Sequence, residues 1–261
     1  MWIAYVVTSQ DRINDKSLEK FIQSILKEDN QVEIVLGLRD CLLPDSVKDK
    51  ITSTVSLPFR VSLAKARNEL LSAHPPSDES WVCFPDDDCW YPDNLLAEVE
   101  SASNGNDFVL GVIDTGEKNY DLEQLSKQPT HITLQVALKQ TASAALFISG
   151  RSLRDFRFDE RLGLGAKVGS AEDLDLVLNL LHKECRGVFT SSLRVGHPYK
   201  PQRKGEYFEG SIAVLSKYFG KLPRARYSAV RRLINGLLLV ARGKVQMKQI
   251  ARGLNYVLGV W

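Results

Sequence analysis

Through its first 115 residues the chain alternates short apolar runs, rich in β-branched residues, with stretches of helical period, the pattern of βαβ units around a mostly parallel sheet. Ile3 to Thr8 reads as the first strand. Leu18, Phe21, Ile22 and Ile25 then recur at helical spacing, Val32 to Leu36 is a second strand, and a third short apolar run lies between Pro44 and Pro58. Ala64 to Ala73 reads as a helix ended by Pro75-Pro76, because proline has no amide to donate and restricts the residue before it. Trp81 to Phe84 is a continuous apolar run, as expected for a strand buried on both faces. Phe108 to Ile113 and Ala144 to Ile148 are further strands, and the polar stretch between them, Asp114 to Lys139, shows no clear pattern. Ser170 is expected to open a helix with Leu174, Val177, Leu178 and Leu181 on one face, and Gly187 to stop it.

At 261 residues, with 44% hydrophobic and 25% charged side chains, the chain can bury a sizeable core and is not of disordered composition. One large domain over residues 1–200 and a basic helical extension over 201–261 are expected. The charge divides the same way. From His197 onward thirteen Lys and Arg face two acids, about +11, which leaves about −9 for the part before it. The basic end therefore calls for an anionic partner. Cys41, Cys83, Cys89 and Cys185 have no CxxC spacing and read as free thiols of a reducing compartment. The apolar run at Trp2 to Thr8 has no basic residues before it and is too short to span a bilayer, so a cytoplasmic protein is expected.

Three features could carry chemistry. Asp86-Asp87-Asp88 leaves a buried strand at its carboxyl end, where open α/β sheets bind ligands. Clustered carboxylates suit a hard divalent cation that keeps phosphate oxygens in its remaining positions; the plainer reading is a solvated turn that caps a helix beginning near Pro92-Asp93. Glu172-Asp173 lies where a helix start would hold a proton acceptor rigidly, yet Ser170 with an acid three residues on also resembles a capping box. His197, between a β-like run and the basic loop, is either a metal ligand or an ordinary hydrogen-bonded histidine. Two lesser features are Gly163-Leu164-Gly165, either a close approach to ligand or a plain turn, and Arg67-Asn68, which reads locally as a solvated helix face.

In order and spacing the chain resembles the inverting family-2 glycosyltransferases of the GT-A fold, from Ile3 to about Phe219. The segments that carry the likeness are IAYVVTSQDR, VEIVLGLRD, LAKARNELL, WVCFPDDDCWYPDNLL, ALFIS, FDERLGLGAKVGSAEDLDLVLNLL and VGHP. The ordered set, rather than any one segment, makes the resemblance. It implies a Rossmann-like, mostly parallel sheet flanked by helices, and transfer of a sugar from a nucleotide-sugar donor to a saccharide or lipid-linked acceptor. It also implies that Asp86 and Asp88 hold Mn²⁺ or Mg²⁺ beside the donor, with Asp87 between them, that Asp173 is the base with Glu172 its neighbour, and that His197 is a further metal ligand. Thr8, Asp11 and Arg67 fall where the family lines the nucleotide pocket. The acid that many members carry straight after the second strand is here either Asp40 in a shifted register or missing.

A nucleotidyltransferase would want a glycine-rich basic loop after the first strand, where Thr8-Ser9-Gln10-Asp11-Arg12 contains no glycine. A non-catalytic RNA-binding module would want a recognisable motif or an aromatic platform, which the basic end lacks, so no nucleic acid is expected. Apolar stretches between basic residues at Leu233 to Val240 and Ile250 to Trp261 suit either an anionic membrane surface, with the protein peripheral on the cytoplasmic face, or packing on the domain or in a homo-oligomer.

Overall fold

The computed structural model describes residues 1–9, 16–27, 32–43, 45–116, 128–199 and 204–260. Among the described residues eight strands form one sheet: β1 (Trp2–Ser9), β2 (Val32–Arg39), β3 (Ser53–Leu57), β4 (Trp81–Cys83), β5 (Phe108–Asp114), β6 (Thr130–His131), β7 (Leu146–Ser149) and β8 (Gly187–Gly196). Their order across the sheet is β3-β2-β1-β4-β7-β5-β8-β6. β1 pairs parallel with β2 and β4, β2 with β3, and β5 with β8. β7 runs antiparallel between β4 and β5, and β6 is antiparallel to β8, so the sheet is mixed.

Eight longer helices accompany it: α1 (Ser17–Leu26), α2 (Leu63–Ala73), α3 (Leu95–Ser103), α4 (Leu134–Gln140), α5 (Glu172–His182), α6 (Lys204–Lys217), α7 (Ala225–Ala241) and α8 (Met247–Val257). Both faces of the sheet are covered. Ile3 and Tyr5 of β1 point into one core layer with Leu70 of α2 and Leu176 of α5, while Ala4 and Val6 point into the other with Phe21 of α1 and Leu96 of α3. Burial on both sides is why β1 is a continuous apolar run rather than an alternating one.

Several sequence expectations shift. The helix assigned to Ser170 starts at Glu172, and no side chain caps it: Ala171 takes the cap position in left-handed geometry at φ 74°, and the Ser170 hydroxyl instead donates to the carbonyl of Glu206 at 2.9 Å. The capping box is thus absent. Gly187 does not stop that helix but opens β8, where a side chain would strike the Phe108 ring. The helix expected near Pro92-Asp93 begins at Leu95, with Asn94 before it, and no aspartate side chain caps it.

The C-terminal helices pack into the same core as the sheet. Ala213, Val214, Leu215 and Tyr218 at the end of α6, Ala225 and Ala229 of α7 and Tyr256 of α8 join the layer that holds α2 and α5. Lys217 Nζ ties α6 down by ion pairs of 2.9 Å to Asp159 and 2.7 Å to Asp175. The four cysteines are free thiols.

Candidate active site

Strand pairing brings the acids together. β4 is only three residues long, but a bridge between Val7 and Asp86 continues its alignment with β1, and the Thr8 hydroxyl donates to Asp87 Oδ2 at 2.7 Å. Beyond the aspartates, Trp90 and Gly196 exchange two backbone hydrogen bonds of 2.9 Å, which fixes the exit of β8 beside the exit of β4. A Cβ on Gly196 would lie 2.0 Å from the indole of Trp90, so only glycine permits this approach. The next residue, His197, then faces the cluster.

His197 Nε2 lies 3.2 Å from Asp86 Oδ2 and 3.3 Å from Asp88 Oδ1. Its Nδ1 is 2.7 Å from the Pro198 carbonyl, which can only accept, so Nδ1 carries the hydrogen and directs the other nitrogen at the acids. Burial opposes a charged ring, but the hydrogen bond to Asp86 and the carboxylate charges outweigh it and raise the pKa. One ligand atom from each of Asp86, Asp88 and His197 lies within 4.8 Å of the others. The Asp88 side chain is only 1% exposed. Two converging carboxylates, one of them buried, and an oriented imidazole fit a divalent cation, whose charge would offset the cost of burying them.

Arg67 sits behind this cluster. Far from lying on a solvated helix face, it is 2% exposed, with its guanidinium against the edge-to-face pair of Phe84 and Phe158. It donates to the Phe84 carbonyl at 3.4 Å and the Ser143 hydroxyl at 3.1 Å, and its other terminal nitrogen is 3.5 Å from Glu172 Oε1. The reversed direction of β7 places Ser143, just before it, beside the exit of β4. Arg67 therefore joins the exit of β4 to the acids that begin α5.

Burial raises the pKa of Glu172, with the Arg67 charge acting the other way. Asp173 accepts the Leu174 amide at 2.7 Å, and burial, then the Glu172 charge, push its carboxyl up to about 7. The charge of Asp86 contributes to both shifts, so the two acid groups share one electrostatic site. Gly163 and Gly165, at φ 95° and 81°, form the loop that seats Glu172: a Cβ on Gly163 would be 3.0 Å from its carboxyl group. The loop is locked by the Leu63 amide, which donates to Leu164 O at 2.9 Å.

Two further side chains join the site. Arg39, at the end of β2, has Nε and one terminal nitrogen buried with no hydrogen-bond partner among the described residues. Burial lowers its pKa, with the Asp87 charge opposing and the Arg67 charge adding to the effect. Asp40, the acid considered for this strand end, is exposed in a left-handed turn at φ 48°. Tyr207 on α6 is 58% exposed, yet lost hydration at its hydroxyl and then the charges of Asp173, Glu172 and Asp86 raise its pKa, and the hydrogen bond from Ser170 to the carbonyl of the adjacent Glu206 sets α6 beside the start of α5. Nothing in the local pattern around Tyr207 signals this, whereas Arg39 stands where the likeness to other chains broke down. Asp11 lies outside the described residues.

No protein-family model matches the sequence, and no curated protein does. Solved structures match. TarS of S. aureus, residues 1–349, superposes with a TM-score of 0.62 at 16% identity, covering 98% of this chain and 71% of that one. Its complex with UDP-GlcNAc gives 0.62 at 15%, covering 85% and 67%. The mannosyltransferase PcManGT of Pyrobaculum calidifontis, in complex with GDP-Man and Mn²⁺, gives 0.61 at 15%, covering 100% and 75%. The chain has the GT-A fold. It spans 40% of a longer TarS structure, with a TM-score of 0.63. The central sheet expected from sequence is thus correct in class, with β6 and β7 reversed within it.

Proposed function

We propose that this chain transfers a sugar from a nucleoside-diphosphate sugar to an acceptor hydroxyl, with inversion at the anomeric carbon. The observation that carries this reading is the meeting, beyond the ends of β4 and β8, of the Asp86–Asp88–His197 donor set with the raised carboxyl of Asp173. The UDP-GlcNAc and GDP-Man complexes of structures with this fold support a donor of that chemical kind. Asp86, Asp88 and His197 would hold a cation, which when bound would neutralise charge on the departing diphosphate. The imidazole in the set, together with the Mn²⁺ of the mannosyltransferase complex, favours Mn²⁺ over Mg²⁺.

Thr8 and Asp87 form one wall of the nucleotide pocket, and Arg39 offers its buried guanidinium to acceptor atoms of the nucleotide. Arg67 holds Glu172, and through it the first turn of α5, in fixed relation to the strand exit. Asp173 takes the proton of the acceptor hydroxyl as its oxygen attacks the anomeric carbon. The new carbon–oxygen bond forms as the bond to the diphosphate breaks on the opposite face, so one displacement inverts the centre. A carboxyl held near pH 7 is basic enough for this work yet ionised in part at neutrality.

The test is a thermal-shift panel of UDP-, GDP-, TDP- and CMP-sugars with and without Mn²⁺, followed by NMR of the product anomer for the donor that binds. One donor should raise the melting temperature only with Mn²⁺, because a ligand selective for the folded state stabilises it. The product should have the opposite anomeric configuration to the donor. Flat melting curves across the panel, or a retained configuration, would overturn the reading.

A further inference from the structure

The last two helices each carry two apolar faces, of which the fold uses one. On α7, Ala225, Ala229 and Gly236 point inward, and Gly236 lets the Phe208 ring approach to where a Cβ would be. On α8, Gly253 and Tyr256 do the same, with Gly253 against Ile212 and Leu233. The outward faces are apolar as well. Tyr227, Val230, Ile234, Leu237 and Leu238 of α7 are 42 to 64% exposed, and at 100° per residue they fall within a stripe of about 100°. Met247, Leu254 and Leu258, on α8 and the residue after it, make a second stripe, 48 to 69% exposed.

Charge surrounds these stripes with one sign. Arg226 borders the α7 stripe on one side, Arg231 and Arg242 on the other, Lys244 lies in the turn, and Lys248 stands on α8, whose Arg252 is paired with Glu209 at 3.5 Å. From Gly210 to the end of the sequence there is no Asp or Glu. We infer that the outward faces of α7 and α8 dock on an anionic lipid bilayer, with the aliphatic stripes in the headgroup boundary and the arginines and lysines against lipid phosphates. A second copy of this chain would bring cations against cations. No helix of the described residues is long and apolar enough to cross a membrane, so the helices lie on the surface rather than through it.

The same unit reaches the catalytic edge. Gln249 of α8 packs on Gly205 of α6, one residue before Glu206, whose carbonyl accepts the Ser170 hydroxyl just ahead of α5. A protein seated on these helices would meet an acceptor carried in that bilayer. A lipid-borne acceptor follows only if the proposed transfer is right, whereas docking stands without it.

Flotation of the full chain tests the docking. Vesicles of phosphatidylcholine with about 30% phosphatidylglycerol should recover the protein, pure phosphatidylcholine should not, and about 1 M salt should reduce recovery by screening the lipid charge. Leu237→Gln with Leu238→Gln, and separately Arg231→Glu with Arg242→Glu, should each cut recovery at least about tenfold. All four positions are exposed, so melting temperature and any Mn²⁺-dependent donor shift should match the parent; a parent that floats without any donor shift would fail the transfer reading alone. Recovery that is equal on neutral vesicles, or unchanged in both double variants, would overturn the docking. So would sedimentation as a dimer that Leu237→Gln with Leu238→Gln dissociates, which would assign the stripes to a second copy.

Discussion

Asp86, Asp87 and Asp88 leave a buried strand, while Glu172, Asp173 and Asp175 begin a helix, and these two groups handle crowded negative charge differently. At the strand exit the partners are polar groups converging from other strands: Thr8 from β1 on Asp87, and His197 from the end of β8 on Asp86 and Asp88. Their geometry leaves a set of donor atoms facing inward. At the helix start, Asp175 is neutralised by Lys217 at 2.7 Å and bonded to the Tyr218 hydroxyl at 3.1 Å, and Glu172 is opposed by Arg67. Asp173, between these two, accepts a backbone amide and meets the Glu172 charge, which helps burial to raise its pKa. The same residue type is therefore arranged as converging oxygens in one place and as a single carboxyl of raised pKa in the other, according to what faces it.

The largest expected effect falls on the strand-exit group. On the proposed reading Asp88→Ala removes a ligand rather than an outer partner, and outer partners alone cost about 10–100-fold in metal affinity, so Mn²⁺-dependent nucleoside-diphosphate binding should weaken by more than about 100-fold. Calorimetry with Mn²⁺ and the donor that binds checks it, with the melting curve as a control for folding. Undiminished affinity would dissolve the distinction between the two groups by removing cation binding from the first.

Next comes the rate. Asp173→Asn keeps the shape but loses the proton acceptor, and should cut turnover by about 10²–10⁴-fold while donor affinity stays within about twofold. In the parent, kcat/KM should climb with pH as Asp173 loses its proton, with the limb at or below about 7 because a cation on the nearby ligands favours the ionised form. The variant should lack that limb. Steady-state kinetics from pH 5 to 9 would show near-normal turnover if another group were the base.

What the sequence made legible follows from how local each feature is. β1, β2, β4 and α2 could be read to within a few residues, because strands buried on both faces are plain apolar runs and Pro75-Pro76 marks where α2 ends. The aspartates were visible for the same reason, being the punctuation after such a run. The reversal of β7 was not legible, since local hydrophobicity does not encode strand direction. Ser170 looked like a cap because the motif is local, but its hydroxyl is taken by a carbonyl 36 residues away. Arg67 looked solvated because the rings and the carboxylate that bury it come from distant segments. His197 could be suspected but not placed, because its approach to the aspartates depends on the Trp90–Gly196 pairing between two strand ends.

The smallest effect separates the two groups most sharply, because the two accounts of Asp173 predict opposite signs. A carboxyl whose folded-state pKa is about 7, against an ordinary 3.8, binds more protons folded than unfolded between those values. Stability then falls as pH rises through that window, and above it the whole penalty is present. Asp173→Asn removes a charge the fold opposes, so the cation-free variant should melt higher than the parent at pH 8. A gain on the order of 1 kcal/mol corresponds to roughly 2–4 °C for a chain of this size. At pH 4, close to the unfolded-state pKa, the difference should shrink toward zero, because the parent carboxyl is then largely protonated when folded and about half protonated when unfolded. If Asp173 were instead there to satisfy the positive end of α5, its removal would cost up to about 1 kcal/mol at pH 8, and the shift would be downward. Differential scanning calorimetry at the two pH values reads the sign directly, and a lower melting temperature at pH 8 would make Asp173 a helix-start acid like any other.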